Sequence, residues 1–405
     1  MTDDAARRDP AAFKIFLVAV EESGDRLGAA LMRALRERTA GAIAFMGVGG
    51  RAMTAEGLQS LHPIEGFSII GFSQIPERLP RIVGHLRQTL RALRRGQPDA
   101  LVVIDSPGYN LWLARFVHRG DPALPIFSYV SPSVWAWRPQ RARSMRRFIN
   151  HVLALLPFEP AAHQRLGGPP CSYVGHPIIA EVAALRPNAE EARRRLADPP
   201  VLLVLPGSRR GEIERLAAIF GKAAGLLRDR VGPLEIVVPT VPNLAPAVET
   251  AIRTWPVPAR IVVDAAEKHA IYRIARLALA KSGTVTLELA LAGIPMATAY
   301  RVSAFDYALG RMLVQVPSII LANLVLGENV VPEFIQGDCT AERLCDALVP
   351  LIDDTPERRR QLEAFAKLDQ IMEIGAQAPA QRAADIVLAG LPRRVKPFAG
   401  PVTTL

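Results

Sequence analysis

Short apolar runs rich in β-branched residues alternate along this chain with stretches in which apolar positions recur every three or four residues. The runs at 13–20, 100–104, 126–129 and 152–156 read as buried parallel strands, because a strand covered by helices on both faces has no polar side to show. A second set follows at 201–205, 235–238, 260–263, 277–280 and 296–299. Amphipathic helical patterns fill the intervals, so the alternation predicts an α/β chain with two doubly wound sheets. Between Gly175-His176-Pro177 and Pro200, the residues Pro187, Pro199 and Pro200 surround a charged helical stretch from Glu190 to Arg195. That punctuation places a domain boundary near residue 178. No short repeat or low-complexity tract interrupts the pattern, and the tail from Pro392 onward carries none of it.

Length supports the division, since 405 residues exceed the size at which one core keeps growing. Half the residues are apolar and 22% are charged, the balance of a globular protein. The net charge of +10 favours anionic partners, whether lipid, nucleic acid or phosphorylated substrate. Aromatic residues make up only 6% and form no RNA-reading pattern, so nucleic acid is not expected. Cys171, Cys339 and Cys345 have no C-x-x-C spacing and read as buried small residues in a reducing compartment. The charged start followed by a short apolar run does not suit an export signal, and no apolar stretch reaches the roughly 18 residues of a membrane span. A cytoplasmic protein is expected. The seven histidines lack metal-ligand spacing and there is no Asp-x-Asp pair, so neither metal nor cofactor is expected.

In open α/β sheets chemistry gathers beyond the carboxyl ends of strands, and four such loops stand out. The first follows 201–205: Gly207, Ser208 and Arg209 form a tight turn before a helix with Glu212 in its first turn, which reads as an anion site or as an ordinary turn with solvated arginines. The second is Ser282-Gly283-Thr284 after 277–280, whose backbone amides could hold a diphosphate, with Glu288 one helical turn on to accept ribose hydroxyls. The third ends strand 100–104 with Asp105, a candidate general base or an ordinary turn cap. The fourth runs from Glu21 to Asp25, where Ser23 and Asp25 read as helix N-caps. Two further segments suit a partner surface. Phe67 to Phe72 is apolar and is followed by Arg78, Arg81, Arg87, Arg91, Arg94 and Arg95, which fits an anionic bilayer or a core helix with a solvated basic face. Trp135 and Trp137 precede five arginines between 138 and 147, which fits an interface or plain packing.

Together the motifs resemble the lipid-A-disaccharide synthases. They are Glu21–Asp25, Gly47-Val-Gly-Gly with Met53 and Gly57, Ile104-Asp-Ser-Pro-Gly-Tyr-Asn, and Tyr129-Val-Ser-Pro-Ser-Val-Trp-Ala-Trp-Arg. They continue with Leu156-Pro-Phe-Glu, Val174-Gly-His-Pro, Leu205-Pro-Gly-Ser-Arg, Ser282-Gly-Thr with Glu288, Tyr300-Arg301, and Asn323 with Pro332-Glu333 and Gln336. The Tyr129–Arg138 run is highly specific, whereas the Ser-Gly-Thr helix recurs across nucleotide-sugar transferases.

The resemblance implies a GT-B fold, two Rossmann-like domains facing a central cleft. Residues 1–178 would bind acceptor, completed by a last helix at about 375–395, and 179–374 would bind the UDP-sugar. It implies an inverting transfer from UDP-2,3-diacylglucosamine to 2,3-diacylglucosamine 1-phosphate, with Asp105 as base. Gly207, Ser208, Arg209, Ser282, Gly283, Thr284 and Glu288 would hold the donor. Ser23, Gly24, Asp25, Ser131, Trp135, Arg138, His176, Arg301, Asn323, Glu333 and Gln336 would line the acceptor side or the cleft. Because both substrates carry acyl chains, the implied partners include the inner membrane's anionic surface, met peripherally; a homodimer is the other partner expected. Three positions depart from the pattern: Val20 stands where Gly is usual, Gly108 where Asp is common, and Ala322 where Pro is common. The rival readings are the peptidoglycan N-acetylglucosaminyltransferase, a UDP-N-acetylglucosamine 2-epimerase, and a non-enzymatic anion-binding protein.

Overall fold

A computed structural model describes residues 13–64, 75–303, 307, 316 and 318–392. The chain forms two compact units. The first takes the chain up to Val134, Pro139–Gly175 and the chain from Gln377, and the second takes Trp135–Arg138 and His176–Ala376.

The first unit holds a six-stranded parallel sheet of β1 (Phe13–Ala19), β2 (Ile43–Val48), β3 (Ala100–Ile104), β4 (Ile126–Tyr129), β5 (His151–Ala154) and β6 (Cys171–Tyr173), in the order β2-β1-β3-β4-β5-β6. Successive side chains of a strand point to opposite faces, and β1 shows what that requires. Ile15, Leu17 and Ala19 pack with helix Glu22–Arg38, while Phe16, Val18 and Val20 join Leu86, Leu93 and Leu113 on the other face. Both faces are covered, so the strand reads as one apolar run. Helix Pro379–Ala389 lies on the first of these faces through Ala383, Ala384 and Val387, and Asp385 pairs with Arg38 at 2.7 Å.

The second unit holds β7 (Val201–Leu205), β8 (Glu235–Pro239), β9 (Arg260–Val262), β10 (Leu277–Lys281), β11 (Met296–Tyr300) and β12 (Glu333–Ile335), in the order β12-β11-β10-β7-β8-β9 and parallel throughout. Helix Arg210–Val231 buries Ile213, Leu216, Phe220 and Leu227 against it.

Three strands are absent from the sequence reading: β2, β6 and β12. All three lie at sheet edges and are only partly buried, so none carries the continuous apolar run that marks a strand covered on both faces. Cys339 and Cys345 are buried as expected, but Cys171 on edge strand β6 is only half-buried. Among the described residues no helix is long and apolar enough to cross a membrane.

Candidate functional site

Strand order reverses direction between β1 and β3 in the first sheet and between β7 and β10 in the second. At such a switch point the connections on either side lead to opposite faces of the sheet, which opens a crevice at the carboxyl ends of the two strands. The four loops singled out in the sequence are those that leave β1, β3, β7 and β10.

In the second unit the β7 and β10 loops line a cavity of about 430 Å³. Gly207, Ser208 and Arg209 form one wall and Gly283, Thr284 and Glu288 another, joined by Pro239, Thr240, Val241, Lys268 and Lys281. Six of the seven expected donor residues therefore meet. The seventh, Ser282, is 3% exposed, does not line the cavity, and donates its hydroxyl to the Ile319 carbonyl at 3.2 Å. The Ser208 amide donates to the Glu212 carboxylate at 3.0 Å.

The cavity's cations have carboxylate partners. Lys268 lies 3.1 Å from Glu288 and Lys281 lies 3.1 Å from Glu212, and both pairs are largely shielded from water. Arg209 approaches Glu212 at 3.5 Å with a largely exposed side chain. Neither lysine was singled out in the sequence. Lys281 could have been, since it ends β10 immediately before the Ser-Gly-Thr turn, but Lys268 sits on helix Ala265–Ile274, which only tertiary folding brings to the site.

In the first unit Asp105 follows β3 with φ of 57°, and Ser106 follows with φ of 40°. Two adjacent residues in the left-handed region are disfavoured for L-amino acids and persist only where surrounding contacts enforce them. Here Asn110, 1% exposed, donates to the carbonyls of both Ile104 and Asp105, clamping the end of β3. The Asp105 carboxylate accepts from Ser23 Oγ at 2.9 Å and from the Ser106 amide at 2.8 Å, while Ser106 Oγ donates to Glu21. The carboxylate thus holds the following turn, as the turn-cap reading expects, and stands beside the β1 loop. Gly24 permits this approach, because a Cβ there would lie 3.2 Å from the Ile104 carbonyl oxygen and 3.5 Å from Asp105 Cβ.

The expectation that Ser23 and Asp25 are N-caps is corrected. Helix Glu22–Arg38 starts earlier, with Glu21 at its N-cap and no side-chain cap, so both residues lie in its first turn. Asp25, 3% exposed, instead accepts from the amides of Gly50, Ala52 and Met53 and caps helix Arg51–Ala55.

Several residues of the expected acceptor group use their polar atoms on the chain itself. Asn323 is 3% exposed; its amide donates to the Val331 carbonyl and accepts from the Val330 and Val331 amides. Gln336 makes a two-way bond with the Val302 backbone, accepting at 2.8 Å and donating at 3.1 Å. Glu333 accepts from the Ile319 amide, and burial pushes its carboxyl up. Ser131 is buried against His163, with 2.9 Å between Oγ and Nε2. His176 Nδ1 accepts from the Ile178 amide, and burial pushes its imidazole down to about 4. Trp135 is half-buried, Arg138 stacks over Trp137 at 4.5 Å, and Arg301 is exposed.

The three departures have structural seats. Val20 packs into the core beyond β1, Ala322 is fully buried, and Gly108 is exposed, with open space where a side chain would be. Phe67 to Phe72 and the side chain of Arg78 fall outside the described residues. On helix Ile75–Gly96, Leu86 and Leu93 are buried while Arg81, Arg87, Arg91, Arg94 and Arg95 are exposed. Among the described residues no group of three or more His, Cys, Asp or Glu could hold a metal ion.

Two Rossmann-like sheets of this kind give the chain a GT-B type fold. The structure is similar to that of MurG from Acinetobacter baumannii, with a TM-score of 0.52 and 17% identity over 94% of this chain and all of that one. It is also similar to the glycotransferase of kitacinnamycin, with a TM-score of 0.60 and 16% identity over 95% of this chain and 100% of that one. At such identities the likeness shows the fold alone.

Sequence similarity is more specific. The family model described as lipid-A-disaccharide synthetase matches residues 15–387. The lipid-A-disaccharide synthase of Rhodopseudomonas palustris (strain HaA2) is 56% identical over 375 residues, covering 93% of this chain and 95% of that one. That of Rhodospirillum centenum is 42% identical over 384 residues, covering 94% and 95%. The chain belongs to the lipid-A-disaccharide synthase family, glycosyltransferases of lipid A biosynthesis.

Proposed function

We propose that this enzyme joins UDP-2,3-diacylglucosamine to 2,3-diacylglucosamine 1-phosphate, giving the β-1,6-linked disaccharide 1-phosphate and UDP. The observation that carries the reading is the cavity at the β7/β10 switch point, where two glycine turns and cationic side chains surround a space suited to a nucleoside diphosphate. Family membership supplies the sugar and the lipid.

In the step itself the acceptor 6-hydroxyl oxygen bonds to the anomeric carbon as the bond from that carbon to the diphosphate oxygen breaks on the opposite face. Asp105 receives the hydroxyl proton, and the bonding electrons leave with UDP. A carboxylate held by the Ser23 hydroxyl and the Ser106 amide keeps a fixed direction, which proton transfer requires. In the donor cavity Glu288 spends Oε2 on Lys268, so the ribose hydroxyls would meet Oε1. Groups placed beforehand where charge develops are the usual source of the largest rate effect.

The acyl chains call for work at a bilayer surface, and we place that contact on the first unit. Helix Ile75–Gly96 exposes a row of arginines, and helix Pro107–Gly120 exposes Trp112 (46%) and Phe116 (41%), with Arg119 over the Phe116 ring. Aromatic side chains beside arginines suit the boundary between headgroups and acyl chains. Purified protein incubated with both sugars should release UDP and one disaccharide 1-phosphate in equal amounts, detected by mass spectrometry. UDP release without disaccharide, or no turnover with folded protein, would overturn the assignment.

A further inference from the structure

We propose that Lys281 is the cation that meets the departing diphosphate, and that Glu212 is the internal anion that holds this ammonium until the donor arrives. The inference rests on the donor-site reading above and adds two residues to it.

Lys281 ends β10, whose preceding residues Leu277–Ala280 are fully buried, so the strand delivers its side chain to the cavity wall. The side chain is 16% exposed, and its Nζ lies 3.1 Å from Glu212 Oε1 and 5.1 Å from the centre of the Tyr300 ring. A Cβ placed on Gly283 would sit 3.5 Å from that nitrogen, so the ammonium rests against the second glycine turn. Glu212, 13% exposed, reaches the first turn: its Oε2 accepts from the Ser208 amide at 3.0 Å. Its seat exists only because residue 207 is glycine. Gly207 has φ of 137°, and a Cβ there would lie 2.5 Å from Glu212 Cβ and 2.6 Å from Oε2. One continuous set of contacts, Gly283 to Lys281 to Glu212 to Ser208, therefore links the two turns that flank the switch point.

The cavity offers three cations, and their surroundings separate them. Arg209 is 72% exposed, so water screens it and its long side chain must be ordered on binding. Lys268 is held by Glu288, at the end of the cavity assigned to ribose. Lys281 is shielded, rests against the second turn and reaches the first through Glu212. At equal distance a shielded charge acts about four times as strongly as one in bulk water. The leaving diphosphate gains one negative charge as its bond to the anomeric carbon breaks, and Lys281 answers that charge without giving up a proton. With no donor bound, the same ammonium would be a shielded charge without a partner, which is costly, and Glu212 supplies the missing anion. A diphosphate must then compete with Glu212 for Lys281.

This competition fixes the sign of the test, made by calorimetric UDP binding and steady-state turnover on folded wild-type, K281M, E212Q and K281M/E212Q proteins. Wild type should bind UDP. K281M should bind it about tenfold more weakly and lose about 100-fold in kcat, the size expected when one preorganised charge is removed. E212Q should bind UDP severalfold more tightly, because the resident anion is gone. The double variant should match K281M in UDP affinity, because Glu212 acts through Lys281. It leaves no shielded charge unpaired, so it carries the test against E212Q if K281M fails to fold. Wild-type turnover in K281M, weaker UDP binding in E212Q, or an E212Q effect undiminished without Lys281 would each overturn the inference. Failure of wild-type protein to bind UDP would instead overturn the donor-site reading beneath it.

Discussion

At the β7/β10 switch point the charges are already paired, Lys281 with Glu212 and Lys268 with Glu288, whereas at the β1/β3 switch point Asp105 is held by a serine hydroxyl and a backbone amide. Among the described residues no ion pair involves Asp105. The difference follows from the tasks proposed for the two places. A pocket for a polyanion must collect cations, and collected cations need internal counter-charges while it is empty. A base must accept a proton, and an adjacent cation works against that, so neutral donors suit it better. The same topological device thus carries a cavity with paired charges in one unit and a carboxylate held by neutral donors in the other.

The largest effect expected from breaking this contrast is at Asp105. Asp105→Asn keeps the shape but cannot take the proton, so turnover should fall by about 10²–10⁴-fold. UDP affinity should stay within about twofold by the same reasoning, because every residue lining the donor cavity belongs to the second unit. Rapid-quench turnover and UDP calorimetry on one preparation separate the two, and retained turnover would remove Asp105 from the step.

Next comes Glu288→Gln, which should weaken UDP by about tenfold through the loss of charged hydrogen bonds to ribose. Inhibition by inorganic pyrophosphate, which has no ribose, should not weaken with it. A parallel loss toward both ligands would place Glu288 at the phosphates instead.

A smaller change is expected from Ser23→Ala. It removes one of the two donors that aim Asp105 while the Ser106 amide remains, and kcat should drop about fivefold, with KM unchanged. A shift in KM alone would show that Ser23 touches substrate rather than steering the carboxylate.

The mildest prediction concerns stability of the first unit. His163 is fully buried beside Ser131, and burial pushes its imidazole down to about 4. The unfolded chain binds this proton at about 6.5, so between those values the unfolded state holds more protons and stability falls as pH falls. The contribution is complete above about pH 6.5 and is lost progressively toward about pH 4. Denaturant titrations across that window should show a shallower slope in His163→Phe than in wild type. An unchanged slope would assign the acid sensitivity elsewhere.

Much of this protein was legible without coordinates. Strands such as Leu101–Ile104 and Val201–Leu205 are covered on both faces, so their burial is written in consecutive residues. The turns after them were visible too, because glycine and serine at a strand end are local features. Partners of polar side chains were not. Asp25 caps a helix 26 residues further on, Asn323 serves the 330–331 backbone, and Arg195, in a stretch that reads as a charged helix at the domain boundary, is 9% exposed and donates to the carbonyls of Tyr272, Arg273, Ala292 and Gly293. The sequence by itself determined the nine strands that carry apolar runs, that there are two sheets, and which loops after those strands are candidates for chemistry, while the edge strands β2, β6 and β12 and the strand order came from the structure. Only the tertiary structure decided which charges face one another, because a hydrogen bond or ion pair depends on a few ångströms between segments far apart in the chain, and no local pattern encodes that distance.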